Sequence, residues 1–194
     1  MKSKKFNWEI WFEDEKTLED SFNFYKKKGI IKEEIETENL SGSHLNKSDY
    51  NLNFINFLDE SNAYFDWIII GCYYAIYHSA LALLSRKGIS SKNHLATLCA
   101  LIKFYYLDNE LGLTKEEIEL ISRSSLEKEE ITYFTEAKDK REMASYGIES
   151  NFNKIEAIEL RDKTIQFVNK CKEILENRGE TNKLEGTKKN EPPN

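Results

Sequence analysis

The chain has 194 residues, of which 40% are apolar and 32% charged, and it carries a net charge of −6. This length and composition support one well-cored domain, or one domain with a small extension, and they exclude a disordered chain. The acidic balance disfavours a free-standing duplex-DNA binder, because phosphate neutralisation supplies most of the affinity of such proteins. Both prolines, Pro192 and Pro193, lie at the C-terminus. Since proline breaks helix interiors, residues 1–191 favour an all-helical fold.

The N-terminal region predicts a helix and no targeting segment. Residues 1–15 begin with lysines but hold no apolar run, so we expect no secretory signal here. The first predicted helix covers residues 12–28. Leu18, Phe22 and Tyr25 form its apolar stripe, because they recur at helical spacing.

The next stretch changes from a loose pattern to a sharp one. Residues 30–46 predict a short helix and a polar loop around the sequence SGSH. His44 falls in this loop, and we interpret it as a solvated surface residue. After the loop, Ser48 or Asp49 can cap a helix that runs to about Asp59.

A long central helix is predicted over residues 63–87, with Asn62 as its cap. Gly71 lies inside this helix, where we expect its missing side chain to let another helix approach closely. Both sides of the helix are apolar or small, which is typical of a core helix surrounded by others. The predicted apolar face consists of Trp67, Ile70, Tyr74, Tyr77, Leu81 and Leu84, and the opposite face of Ile68, Cys72, Ala75 and Ala82.

The segment from Trp67 to Ser85 holds no Asp, Glu, Lys or Arg. Such a stretch approaches the length of a membrane span. However, it contains three tyrosines, His78 and two serines, and periodic helical segments precede and follow it. We therefore interpret it as a buried central helix and expect no membrane contact and a cytoplasmic location.

Two helices are predicted between the central helix and the later part of the chain. Ser90 or Ser91 starts a helix over residues 91–107. Thr114 is followed three residues later by Glu117. This spacing is that of a capping box, in which each side chain satisfies a backbone N–H at the start of a helix.

The rest of the chain predicts two more helices and a tail. The helices cover residues 126–146 and 150–177, while residues 178–194 hold one leucine and no periodicity. We expect this tail to be disordered. The predicted architecture is all-α, an up-and-down bundle of about five or six helices. Residues 1–46 are predicted to form a helical extension and residues 47–177 the bundle.

Few residues carry recognisable chemistry. The three cysteines are odd in number and widely spaced among apolar residues, so they predict reduced core thiols. The sequence holds no phosphate-binding glycine loop, no HExxH, no CxxC pair and no GxSxG. We therefore expect neither a cofactor nor a metal ion.

Three short segments, in matching order, carry a family resemblance. They are YYAIYHSALALL at residues 73–84, SSKNH at residues 90–94 and KREMASYG at residues 140–147. These segments resemble the HEPN superfamily (higher eukaryotes and prokaryotes nucleotide-binding domains), and they are most similar to its short stand-alone prokaryotic members. The resemblance covers about residues 48–175 and leaves residues 1–46 outside.

The resemblance implies a bundle of four or five helices that commonly forms a homodimer. Many HEPN proteins are metal-independent ribonucleases of toxin–antitoxin, CRISPR or other defence systems, and many act with a nucleotidyltransferase antitoxin. Their catalytic signature is an arginine followed after four to six residues by a histidine. This chain lacks that signature. Arg141 is followed at the matching place by Tyr146, and Ser145 stands where the family usually has aspartate.

Metal-independent RNA cleavage needs a proton acceptor, a proton donor and a cation on the phosphate. Arg141 can supply the cation, and Tyr146 lies near it on the same helix. Because tyrosine is a poor base at neutral pH, His78 or His94 must act as the base. Each of these four residues also has a structural interpretation, as a core histidine, a helix-packing residue, a solvated arginine or a packing tyrosine.

Two functions remain open from the sequence. The first is an HEPN-like component of a prokaryotic toxin–antitoxin or defence system, which cleaves or binds RNA or a nucleotide together with a nucleotidyltransferase partner. The second is a non-catalytic homodimeric interaction subunit that has lost the ribonuclease site. Arg141 and Tyr146 favour the first, whereas the missing signature and the acidic balance favour the second.

Overall fold

The protein is an all-α helical bundle with one small two-stranded sheet, as a computed structural model describes it for residues 7–34, 37–106, 112–124 and 154–188. The described residues form six α-helices, two short strands and two single-turn helices. In chain order they are a 3₁₀ turn Trp8–Phe12, α1 Glu15–Lys27, β1 Ile31–Glu33, α2 Thr37–Glu60, α3 Phe65–Arg86, β2 Ile89–Ser91, α4 His94–Leu101, a π turn Ile102–Tyr106, α5 115–124 and α6 Lys154–Lys188.

Helix α3 is the centre of the bundle and packs against α2 and α6. Its contact with α2 is close because small residues line it. A Cβ atom at Gly71 would clash with the side chain of Ile55 on α2, which confirms the predicted close approach. The Ser48 hydroxyl donates to the carbonyl of Ala75 at 2.9 Å, and the Ser41 hydroxyl donates to that of Ala82 at 3.0 Å.

Helix α2 corrects the predicted loop over residues 30–46. The helix begins at Thr37 and continues through the SGSH segment, so Ser48 lies in its interior and caps nothing. The reason is that the Ser41 and Ser48 hydroxyls bond to the backbone of α3 instead of to their own helix terminus. A polar sequence therefore forms a helix whose serines face the core. The boundary predicted after residue 46 falls inside this helix.

The exposed side of α3 differs from the prediction. Trp67 and Tyr74, placed on its predicted apolar face, are both exposed, whereas Ile68, Cys72 and Ala75 are fully buried. The small residues allow α2 to approach, and the aromatic residues are left on the outer side. The helix begins at Phe65 after Tyr64, whose φ is +59°, so Asn62 is not its cap.

Helix α3 is long and apolar enough to cross a membrane by length and composition, and 72% of its most apolar 18-residue window is buried inside the protein. The N-terminal residues contribute to the same core. Trp11 is buried and its indole N–H donates to the Ser21 hydroxyl at 3.0 Å. Strand β1 pairs antiparallel with β2, with Ile31 opposite Ser91, and neither strand was predicted.

The later helices confirm some predicted boundaries and change others. At α5, the Thr114 N–H donates to the Glu117 carboxylate at 2.7 Å and the Glu117 N–H donates to the Thr114 hydroxyl at 3.2 Å. This confirms the capping box. Helix α4 begins with Asn93 as its cap, not with Ser90 or Ser91, because both serines lie in β2.

Helix α6 continues to Lys188, whereas the apolar spacing predicts a helix that ends at Asn177 and a disordered tail beyond it. No proline interrupts this stretch, so nothing in the sequence forces the helix to end. The helix predicted over residues 126–146 lies outside the described residues. The cysteines Cys72, Cys99 and Cys171 are buried free thiols, as predicted.

Candidate functional site

Three helices bring the histidines and a group of tyrosines to one region of the surface. His44 lies on α2, His78 on α3 and His94 at the first position of α4. Arg141 and Tyr146, the other two predicted site residues, lie outside the described residues. The part of the candidate site that the structure describes therefore consists of the three histidines and the tyrosines around them.

The centre of the region is a direct contact between two imidazoles. The Nδ1 atoms of His44 and His78 lie 3.1 Å apart, and the ring centroids are 5.4 Å apart. Two nitrogens at this distance form a hydrogen bond only if one ring carries its proton at Nδ1 and the other does not. In the neutral pair, the donating ring then has a bare Nε2 and the accepting ring carries its proton at Nε2.

Both imidazoles are held in the neutral form. Burial lowers the pKa of His44 below its ordinary value of 6.5. Burial also lowers the pKa of His78, and the neighbouring His44 and Lys47 lower it further. Because each ring is only partly buried, solvent or a ligand can still reach the pair. A half-buried neutral pair with one acceptor and one donor is suited to proton transfer near pH 7.

The structure overturns the interpretation of His44 as a solvated loop residue. His44 belongs to a helix and is half-buried, because it faces α3 beside Ser41 and Ser48. The spacing of Ser41, His44, Ser48 and Ile55 follows one side of a helix. That spacing was present in the sequence, but the residues are mostly polar, so an apolar pattern does not reveal it.

His94 has a different environment from the other two histidines. Its ring stacks on Tyr77, with centroids 6.1 Å apart and planes 25° apart, and it also contacts Tyr73 at 6.5 Å. Both ring nitrogens are buried and have no hydrogen-bond partner among the described residues. Burial lowers the pKa of His94 to about 4. A base with so low a pKa is weak, which makes His94 a poorer proton acceptor than His78.

The tyrosines connect the histidines. Tyr73 and Tyr77 stack nearly parallel, with planes 9° apart and centroids separated by 5.7 Å. The Tyr77 hydroxyl lies 3.4 Å from the hydroxyl of Thr97 on α4. Tyr73 and Tyr77 are half-buried. Tyr74 is exposed.

Among residues 7–34, 37–106, 112–124 and 154–188, no three His, Cys, Asp or Glu side chains form a group that could hold a metal ion. The imidazoles of His44 and His78 can accept and donate protons. Lys47 lies close enough to lower the pKa of His78, and its ammonium sits 4.6 Å from the Tyr50 ring. No protein-family model and no curated protein matches the chain.

Proposed function

We propose that this protein is an HEPN-like component of a prokaryotic toxin–antitoxin or defence system that cleaves RNA without a metal ion. The single observation that supports this most is the contact between His44 and His78, which places a proton acceptor and a proton donor side by side. The resemblance of residues 73–84, 90–94 and 140–147 to HEPN segments supports the same class. A nucleotidyltransferase antitoxin is the partner that this class implies.

In this proposal the pair moves one proton across the reaction. The bare Nε2 of one histidine accepts the proton of the attacking RNA 2′-hydroxyl. That ring passes its Nδ1 proton to the Nδ1 of the other histidine, which releases its Nε2 proton to the leaving 5′-oxygen. The products are a 2′,3′-cyclic phosphate and a free 5′-hydroxyl, and the pair ends neutral with its tautomers exchanged. No external proton donor is needed.

Arg141 is the residue proposed to stabilise the phosphate. A guanidinium binds phosphate oxygens through two parallel hydrogen bonds and keeps its charge at any working pH. Tyr146 would contribute a hydroxyl near the same phosphate. We assign His94 a supporting role, because its stacking on Tyr77 orients the tyrosines beside His78.

The test is cleavage of total RNA by purified protein with EDTA present, together with growth arrest on expression. We expect His44→Gln, His78→Gln and Arg141→Ala each to abolish cleavage with unchanged helicity, and Arg141→Lys to restore little of it. Arg123→Ala is the matched control, because Arg123 is an exposed arginine on α5. Cleavage that survives both histidine substitutions would reject the proposed chemistry.

A second function, the non-catalytic homodimeric interaction subunit, is favoured by a different observation. Several large aromatic side chains are exposed along α2 and α3, including Tyr50, Phe57 and Trp67. Exposed apolar patches of this kind mark interaction sites. If the wild-type protein neither cleaves RNA nor binds a nucleotide, and Arg141→Ala changes only partner binding, this second function replaces the first.

A further inference from the structure

Helices α5 and α6 line an open groove with a volume of about 340 Å³. Because ligand sites in proteins have volumes of about 300–1,000 Å³, the groove is large enough for a small molecule. Its residues on α5 recur at positions i, i+3, i+4 and i+7, and those on α6 at i and i+4, so each set lies on one side of its helix. The lining residues that carry the argument are Glu116, Glu119, Leu120 and Arg123 on α5 and Lys163 and Phe167 on α6.

The two helices run in opposite directions along the groove. Burial raises the pKa of the Cys171 thiol, and the nearby Glu117 carboxylate, which also accepts the Thr114 N–H, raises it further. The beginning of α5 therefore lies beside Cys171. Because Arg123 and Lys163 line the same groove, α5 runs from there back towards Lys163. The two cationic side chains are therefore at one end of the groove and the carboxylates of α5 at the other.

The charges at the two ends of the groove are largely unpaired. Within the part of the chain that the structure describes, Arg123 and Lys163 form no ion pair, and neither does Glu116. Glu119 has only a contact of 3.8 Å with Lys115. Two cations close together repel each other unless an anion lies between them. One end of the groove therefore favours an anionic group and the other end a cationic group.

The middle of the groove is apolar and its length is defined by α5. Phe167, which is 2% exposed, and the half-buried Leu120 lie between the charged ends. Glu116 and Arg123 are separated by about 10 Å along the helix, at about 1.5 Å per residue. An extended peptide spans about 3.3–3.6 Å per residue, so three residues cover this distance. A free amino acid carries both charges on one carbon atom and cannot reach both ends.

We infer that this groove binds a short peptide of about three residues with free termini and an apolar central side chain. Arg123 and Lys163 donate hydrogen bonds to the terminal carboxylate of the peptide, whereas Glu116 and Glu119 accept them from its terminal ammonium. The central side chain packs against Phe167. A nucleotide is disfavoured, because the carboxylates repel its phosphates. This site lies apart from the histidines and goes beyond the proposed function, on which it does not depend.

The experiment titrates the full chain with the tripeptide Ala-Leu-Ala and follows the backbone amide resonances by NMR. We expect saturable shifts at residues 116–123 and 163–167, with a Kd of about 0.1–1 mM. Acetylating the N-terminus of the peptide or amidating its C-terminus should each weaken binding about fivefold, because each change removes one charged contact.

Paired variants assign each terminus of the peptide to its end of the groove. Arg123→Ala should bind the amidated and the free peptide equally, because the contact that amidation removes is already lost. Glu116→Gln combined with Glu119→Gln should bind the acetylated and the free peptide equally. Lys32→Ala and Glu159→Gln are the matched controls, since both residues are exposed and lie outside the groove, and they should bind like the wild type.

Three results would overturn the inference. The first is the absence of saturable shifts in the wild type at millimolar peptide, and the second is an affinity that neither blocked terminus changes. The third is tighter binding of inorganic phosphate than of the peptide, abolished by Arg123→Ala and unaffected by the two glutamine substitutions, which would indicate an anion site instead. Because Arg123→Ala is expected to leave RNA cleavage unchanged, failure of peptide binding and failure of the proposed function are distinguishable.

Discussion

The Nδ1 atoms of His44 and His78 face each other across 3.1 Å, between helices that are adjacent in the chain and antiparallel in the bundle. This contact depends on the close packing of α2 against α3, which the Ser48 and Gly71 positions permit. A shared hydrogen bond couples the titration of the two rings, because a proton added to one ring repels a proton added to the other. The pair is therefore the part of the candidate site whose protonation can be measured directly.

We expect the two imidazoles to titrate in two steps, both with a pKa below 6.5. His44→Gln should raise the pKa of His78, because it removes the repulsion by His44, but burial should keep that pKa below the ordinary value. The measurement is a pH titration of the imidazole resonances by NMR. Two independent rings that both titrate at 6.5 would contradict the observed contact.

His94 should make the protein sensitive to acid. Its pKa is about 4 in the folded protein and 6.5 when exposed, so the unfolded chain binds the additional proton below pH 6.5. The stability that His94 contributes is full above pH 6.5 and is lost as the pH falls towards 4. From pH 7 to pH 5 this loss amounts to about 2 kcal/mol.

The measurement is urea unfolding of the wild type and of His94→Phe at both pH values. The phenylalanine keeps a ring against Tyr77 and removes the buried ring nitrogens that lack a partner. We expect the variant to lose about 2 kcal/mol less than the wild type on acidification. Equal losses would show that His94 is protonated in the folded state.

Two glycines on adjacent helices should respond to alanine in opposite directions. Gly71→Ala introduces a Cβ that clashes with Ile55, a β-branched residue with little rotamer freedom, and should destabilise the protein by about 1–3 kcal/mol. Gly42 lies on α2 with nothing within 4 Å of its Cβ position. Gly42→Ala should therefore stabilise by about 0.5–1 kcal/mol, as alanine does in a helix interior. Chemical denaturation distinguishes the two, and a neutral Gly71→Ala would argue against the close contact.

The sequence predicts the parts of the fold that depend on local apolar spacing. Leu18 and Phe22 were expected on a buried stripe and are buried, and Thr114 with Glu117 forms the expected capping box. The part of helix α2 before Ser48 is predicted to include a polar loop, because its buried side carries Ser41 and Ser48, whose hydroxyls bond to a partner helix that a local pattern does not contain. Because His44 falls in that predicted loop, the sequence does not place it in the candidate site.

The exposed aromatic residues of α3 show a second limit of predicting the buried side of a helix from its apolar spacing. Trp67 and Tyr74 have the spacing of a core stripe, yet the core is formed by the smaller side chains of Cys72 and Ala75. Hydrophobicity alone ranks the aromatic residues as more buried, whereas close helix packing selects the small ones. Which side of an apolar helix faces its neighbours is therefore decided by tertiary shape.

Substituting alanine for each of two serines of α2 tests how α2 packs against α3. Ser48 is buried, donates to the Ala75 carbonyl and lies 2.8 Å from the Ser79 hydroxyl, whereas Ser43 is exposed and donates to the Asn39 carbonyl of its own helix. Ser48→Ala removes the hydrogen bond between helices and leaves the buried Ser79 hydroxyl without this contact. We expect a loss of about 1–3 kcal/mol.

Ser43→Ala removes a hydroxyl from the same helix but only from its solvent side. Because alanine has the higher helix propensity, the change should leave stability within about 0.5 kcal/mol of the wild type or raise it. Urea unfolding of both variants, with circular dichroism as the probe, gives the comparison. If Ser48→Ala were as harmless as Ser43→Ala, the hydrogen bond between α2 and α3 would not contribute to their packing. The position of His44 against His78 would then have to rest on the Ser41 hydrogen bond to the Ala82 carbonyl and on the contacts around Gly71.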